Sequence, residues 1–89
     1  MISRDVEIIN RLGLHARAAA KLVDCAARFS SELTITKAGN KVDAKSIMSV
    51  MMLAAGKGTV ITLTADGRDE QAALDALTTL INNRFDEAD

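Results

Sequence analysis

Gly13-Leu14-His15-Ala16-Arg17-Ala18-Ala19-Ala20 holds the only histidine of an 89-residue chain. Glycine permits backbone turns that other residues resist, and alanine is the strongest helix former. The spacing therefore predicts that His15 stands where a loop ends and a helix begins. The first amides of a helix have no internal acceptors, and the helix dipole places partial positive charge there. The amides of Ala16 and Arg17 would then form an anion site. Arg17 adds a guanidinium whose planar fork suits a phosphate. A nucleophilic imidazole, free amides and an arginine together read as a histidine that accepts a phosphoryl group and holds it.

A lone histidine at a helix start is ordinarily a solvated cap, and here its neighbours weigh against that reading. One His and one Cys make no ligand cluster, so no metal and no cofactor is expected. No nucleophile elbow and no acid/base pair is present, so a hydrolase, or any enzyme with its own turnover, is disfavoured. A net charge of −1 with no Trp or Tyr disfavours nucleic-acid binding. The opening Met1-Ile2-Ser3-Arg4-Asp5 shows no signal-peptide pattern, and no apolar run is long enough for membrane insertion. A single cysteine cannot form an internal disulfide, which points to a reducing, cytoplasmic home. Cys25 is expected to pack as a small hydrophobe.

The elements that must carry His15 follow from periodicity. Residues 1–89 are expected to form one domain. Val6 and Ile8 share a strand face, with Asp5 and Glu7 opposite, in a strand beginning near Ile2. The first helix should run from Ala16 to about Arg28, burying Ala19, Leu22, Val23, Ala26 and Phe29 and leaving Lys21, Asp24 and Arg28 solvated. Glu32 to Lys37 alternates, Ala38-Gly39-Asn40 signals a hairpin turn, and Lys41-Val42-Asp43 returns. Ser46 is expected to cap a second helix by accepting from the Ser49 amide, with that helix ending near Ala55. Val60 to Ala65 is the fourth strand. Asp69 should cap a third helix reaching about Arg84, with Ala73, Leu74, Leu77, Leu80 and Ile81 buried. The acidic tail Asp86-Glu87-Ala88-Asp89 is expected to fray. The order is βαββαβα, an α+β fold whose four-stranded antiparallel sheet is covered on one face by three helices.

The second helix is apolar nearly all round. Val50, Leu53 and Ala54 cluster on one side, and Ile47, Met48, Met51 and Met52 occupy the rest. Full burial is hard to arrange in so small a chain. Its methionines either fill gaps in the core or form an adaptable partner surface.

Two stretches resemble the HPr family, the histidine-containing phosphocarriers of the bacterial phosphoenolpyruvate-dependent phosphotransferase system. Gly13 to Arg17 looks like its phosphorylation-site motif, and Gly39 to Leu53 looks like its serine-centred motif. The likeness extends to about Phe85. It implies an open-faced β-sandwich. It also implies that phosphorylated enzyme I passes a phosphoryl group to Nδ1 of His15, and that EIIA-type domains receive it. Arg17 matches the arginine beside the phosphohistidine. Ser46 matches the serine that an ATP-dependent HPr kinase/phosphorylase modifies in some bacteria. Ile47, Met48 and Met51 match the docking face, and Leu14, Lys21 and Lys45 complete the expected docking set.

The match has departures. Ala18 replaces a proline that fits a first helical turn. Leu12 is apolar, as in the nitrogen-related branch, whereas Lys45-Ser46-Ile47-Met48 looks like the kinase-regulated members. Both branches therefore stay open. The positive helix end and Arg17 predict a neutral resting imidazole. Arg11, Arg17, Lys21 and Lys45 suggest acidic partner surfaces met by a monomer. The main rival is a regulatory protein acting through Ser46 alone.

Overall fold

In a computed structural model, which describes residues 1–87, four strands and three helices follow one another in the expected order. They are β1 (Ile2–Glu7), α1 (Ala16–Ala27), β2 (Glu32–Lys37), β3 (Asn40–Asp43), α2 (Ile47–Met52), β4 (Val60–Asp66) and α3 (Glu70–Asn82). The strands lie in the order β1-β4-β2-β3, with every pair antiparallel. Val6 faces Ile61 across β1 and β4, and Leu63 faces Ile35 across β4 and β2. This register lines up one apolar face, and Val6, Ile8, Leu33, Ile35, Ile61, Leu63 and Ala65 are all buried there. The other face is polar: Ser3 bonds Thr64 at 3.0 Å, and Thr62 donates to Asp5 at 2.7 Å. Period-two alternation fixes such a register, because a one-residue slip would turn the apolar set to water.

The helices cover the apolar face. α1 buries Ala18, Ala19, Leu22 and Ala26, and α3 buries Ala73, Leu74, Leu77 and Ile81. Val23, Phe29 and Leu80 are only partly buried at the rim.

Three expectations need correction. α2 stops at Met52, not near Ala55. Its exit is fixed by long-range bonds: Lys37 Nζ donates to the carbonyls of Leu53 (2.8 Å) and Ala54 (3.2 Å), and the Leu14 amide takes the Ala55 carbonyl at 2.9 Å. The helix itself gives out because the Leu53 and Ala54 amides bond back only three residues, to Val50 O (3.2 Å) and Met51 O (3.1 Å), and Ala54 turns left-handed at φ 52°. Asp69 holds the N-cap position of α3, yet its carboxylate makes no cap bond. Instead it accepts from the amides of Ser30 (2.9 Å) and Ser31 (3.0 Å) and from the Ser31 hydroxyl, tying the start of α3 to the entry of β2. Finally, the segment after α3 does not fray at Asp86 and Glu87. Arg84, Phe85 and Asp86 form a short turn with positive φ throughout (55°, 54° and 61°), and Phe85 is wholly buried. Burying a phenylalanine side chain supplies about 1.5–3 kcal/mol, which offsets part of the strain of such a turn. The rest of the expected frayed tail, Ala88 and Asp89, lies outside the described residues.

Candidate functional site

The loop from Asn10 to Leu14 delivers His15 to the start of α1. Gly13 has φ +67°, and a Cβ placed there would lie 2.7 Å from the Ala55 carbonyl and 2.8 Å from Gly56 Cα. Only glycine fits both the conformation and the gap. The Gly13 amide donates to Asn10 O (3.1 Å) and the His15 amide to Gly13 O (2.9 Å), so the turn is closed twice. His15 is the N-cap, with extended backbone (φ −74°, ψ 177°) and no side-chain cap bond. Its carbonyl opens the helical ladder by accepting from Ala19 at 2.8 Å. The ring is therefore free for other work.

The first turn of α1 carries no acidic residue. Helix N-termini ordinarily attract Asp and Glu. Here Ala16 and Arg17 are exposed at that end, and among the described residues the Arg17 guanidinium makes no hydrogen bond or ion pair. A cation placed where the dipole is already positive makes chemical sense as half of an anion site.

The unexpected member is Glu87. Its Oε2 lies 2.7 Å from His15 Nε2, and its Oε1 accepts from Asn10 Nδ2 at 2.7 Å. Asn10 is fully buried and gives its other amide proton to Gly13 O at 2.8 Å. Both of these neighbours are acceptors, which fixes the way the amide faces. Burial alone would raise the Glu87 carboxyl, but hydrogen bonds from Asn10 and His15, with the charges of His15 and Lys21, hold it below the ordinary glutamate range. It is thus an anion at neutral pH and can only accept, so His15 Nε2 donates. In a neutral imidazole Nδ1 is then the bare nitrogen. The ring is therefore not surrounded by positive charge alone, as the sequence suggests, because a carboxylate stands at Nε2. Glu87 sits in an acidic run that reads as solvated. The only hint was the apolar Phe85 just before it.

The His15 side chain keeps 26% of its surface exposed. A concavity lies elsewhere, between α1 and α3, lined among others by Lys21, Cys25, Arg28, Asp75 and Leu80. It is open and of mixed charge. Cys25 is partly buried there, and burial pushes its thiol up, opposed by Arg28.

Beside α1, α2 presents Ile47 (39% exposed), Met48 (66%) and Met51 (38%), with Met52 (79%) and the loop residue Leu12 (60%) also in solvent. Ser46 caps α2 as expected, accepting from the Ser49 amide at 3.4 Å and donating to the Ser49 hydroxyl at 3.0 Å. Two members of the expected docking set are less open than expected. Leu14 is 6% exposed and part of the core. Lys21 is half-buried, not solvated, and donates to the Phe85 carbonyl at 2.6 Å. Lys45 is exposed, and its ammonium bonds the Phe29 carbonyl at 2.8 Å.

A partly exposed imidazole thus stands at a helix N-terminus, and the neighbouring α2 exposes an apolar surface. The family model described as "PTS HPr component phosphorylation site" matches residues 2–83. A phosphocarrier protein HPr from Cupriavidus necator is 58% identical over 89 residues, covering both chains completely. A phosphocarrier protein NPr from Shewanella violacea is 47% identical over 98% of this chain and 96% of its own. The crystal structure of HPr-C-His from Thermoanaerobacter tengcongensis superposes with a TM-score of 0.95 at 46% identity, covering 98% of each chain. The chain belongs to the HPr family of the phosphotransferase system, and is a phosphocarrier rather than an enzyme.

Proposed function

We propose that His15 is the phosphoryl acceptor, that phosphorylated enzyme I is the donor, and that a histidine of an EIIA-type domain is the next acceptor. The observation that carries this is the 2.7 Å contact of Nε2 with Glu87, which leaves Nδ1 with its lone pair available. Nδ1 attacks phosphorus as the donor's P–N bond breaks, and the electron pair returns to the donor ring. The α1 amides and Arg17 then face the new anionic group. Stabilisation there must be modest, because a phosphoramidate held in a deep pocket would not move on. Partial exposure of His15 fits that need. The exposed apolar surface of Ile47, Met48 and Met51 would seat both partners in turn. A cytoplasmic monomer with transient partners is the simplest form of such a carrier. The test is mass spectrometry after mixing with phosphoenolpyruvate and enzyme I. One acid-labile phosphate, absent in His15→Ala, is expected. No addition to the folded wild type would contradict the assignment.

Ser46 supports a second, compatible role. Its hydroxyl caps α2 directly beside exposed Ile47 and Met48. A phosphoserine adds about −1.5 to −2 charge, which a helix N-terminus tolerates. The fold would persist while docking weakens. An ATP-dependent HPr kinase/phosphorylase would supply the group. The sugar branch and the nitrogen-related branch are both compatible with this surface.

A further inference from the structure

Several features of the segment after α3 converge on the ring of His15. Phe85 is fully buried and anchors the segment. Lys21, from α1, holds the Phe85 carbonyl at 2.6 Å. Two residues on, the Glu87 carboxylate bridges the buried Asn10 amide and His15 Nε2, one oxygen to each, both at 2.7 Å. Asn10 is itself bonded to Gly13 O, inside the turn that delivers the histidine. The carboxylate is thus held by two hydrogen bonds on an anchored segment, and only 16% of its side chain is exposed.

We propose that Glu87 is a positioning residue for phosphoryl transfer: it locks the His15 ring in the Nε2–H tautomer, aims Nδ1 outward, and faces the positive charge the ring gains when Nδ1 bonds phosphorus. This rests on the carrier reading above. As the N–P bond forms, the Nδ1 lone pair becomes the bonding pair, and the proton already on Nε2 stays between that nitrogen and Glu87. The ring then carries positive charge. A fixed carboxylate at Nε2 favours that charge without occupying the acceptor nitrogen, and without touching the phosphoryl group. The logic is that of any carboxylate behind a working imidazole.

The experiment compares the full chain with Glu87→Ala, Glu87→Gln and Asp86→Asn. Glutamine keeps one acceptor oxygen where the carboxylate has two, so partial rescue is expected. Asp86→Asn removes one negative charge from the same segment without touching the ring. Ring nitrogen signals are read by NMR at a pH where they no longer move. Enzyme I-dependent transfer is measured as kcat and KM. Wild type and Asp86→Asn should show one tautomer with protonated Nε2, and Glu87→Ala a mixture. Transfer by Glu87→Ala should fall about tenfold in kcat, within the cost of misorienting a reacting group, while KM holds because the docking surface is untouched. Glu87→Gln should lie between. Ring signals unchanged in Glu87→Ala, or a kcat equal to or above wild type, would overturn the proposal. The ring signals need no donor. A wild type that accepts no phosphate would therefore sink the carrier reading, and would be told apart from a failure of the Glu87 contact.

Discussion

Arg17 sits at the positive end of a helix dipole, where a cation is least welcome. The first turn of α1 holds no acid to offset it. Its removal should therefore cost the fold nothing, and relieving the dipole contributes about 0.3–1 kcal/mol in the other direction. Arg17→Ala is expected to melt no lower than wild type yet to accept phosphate from enzyme I more slowly. A lower melting temperature with normal transfer would reverse the assignment. Ser46 is a different case, since its hydroxyl makes a cap. Ser46→Ala should lose about 1 kcal/mol of stability. Aspartate can cap too, so Ser46→Asp should keep the fold while its charge beside Met48 slows acceptance. Equal transfer rates for Ser46→Asp and wild type would remove the regulatory role.

Among the elements, the loop before α1 is the least tolerant. Gly13 combines φ +67° with an Ala55 carbonyl 2.7 Å from where a Cβ would stand. Alanine there pays about 1–2 kcal/mol for conformation alone, with the clash added. Gly13→Ala should lower Tm by at least about 4 °C in a chain of this size, and an unchanged Tm would show that the loop relaxes freely. The junction of α3 with β2 is sensitive to acid instead. Hydrogen bonds from the Ser31 hydroxyl and the Ser30 amide hold the Asp69 carboxyl down at about 2. A carboxyl lowered on folding stabilises the native state above its unfolded pKa, about 3.9. That contribution fades as pH falls from about 4 to about 2. Thermal melts across this window should drop less steeply for Asp69→Asn than for wild type. Parallel slopes would exclude Asp69 from that role.

These elements also mark how far the sequence could be read. The strands were legible because one sheet face is wet, so Asp5, Thr34 and Thr62 alternate with apolar neighbours. The Ser46 cap was legible because a cap is local chemistry. The end of α2 was not, because Ala54 takes a left-handed backbone (φ 52°) that nothing in an alanine announces. Asp69 misled for a similar reason: its side chain found Ser30 and Ser31 from another element. His15, Arg17 and Ser46 stood out by residue type and spacing. Glu87 did not, since nothing local to an acidic run says that one carboxylate folds back across the chain to His15.

The whole molecule divides its labour between a rigid sheet and a working edge. The buried face of the sheet carries the helices, and α1 packs against α2, so in the proposed carrier role the imidazole and the exposed methionines would meet partners together. A nearly neutral chain, net charge −1, has no strong field with which to choose among partners. In the proposed role, recognition would then rest on local features: an adaptable apolar patch, a few cations and a single reactive nitrogen. The central claim concerns that nitrogen, and the most direct test is to phosphorylate the ¹⁵N-labelled protein with enzyme I and phosphoenolpyruvate and read by NMR which ring nitrogen couples to phosphorus. Coupling to Nδ1 of His15, with the proton still on Nε2, is the predicted result. Phosphorus on Nε2, or on any residue other than His15, would contradict the account.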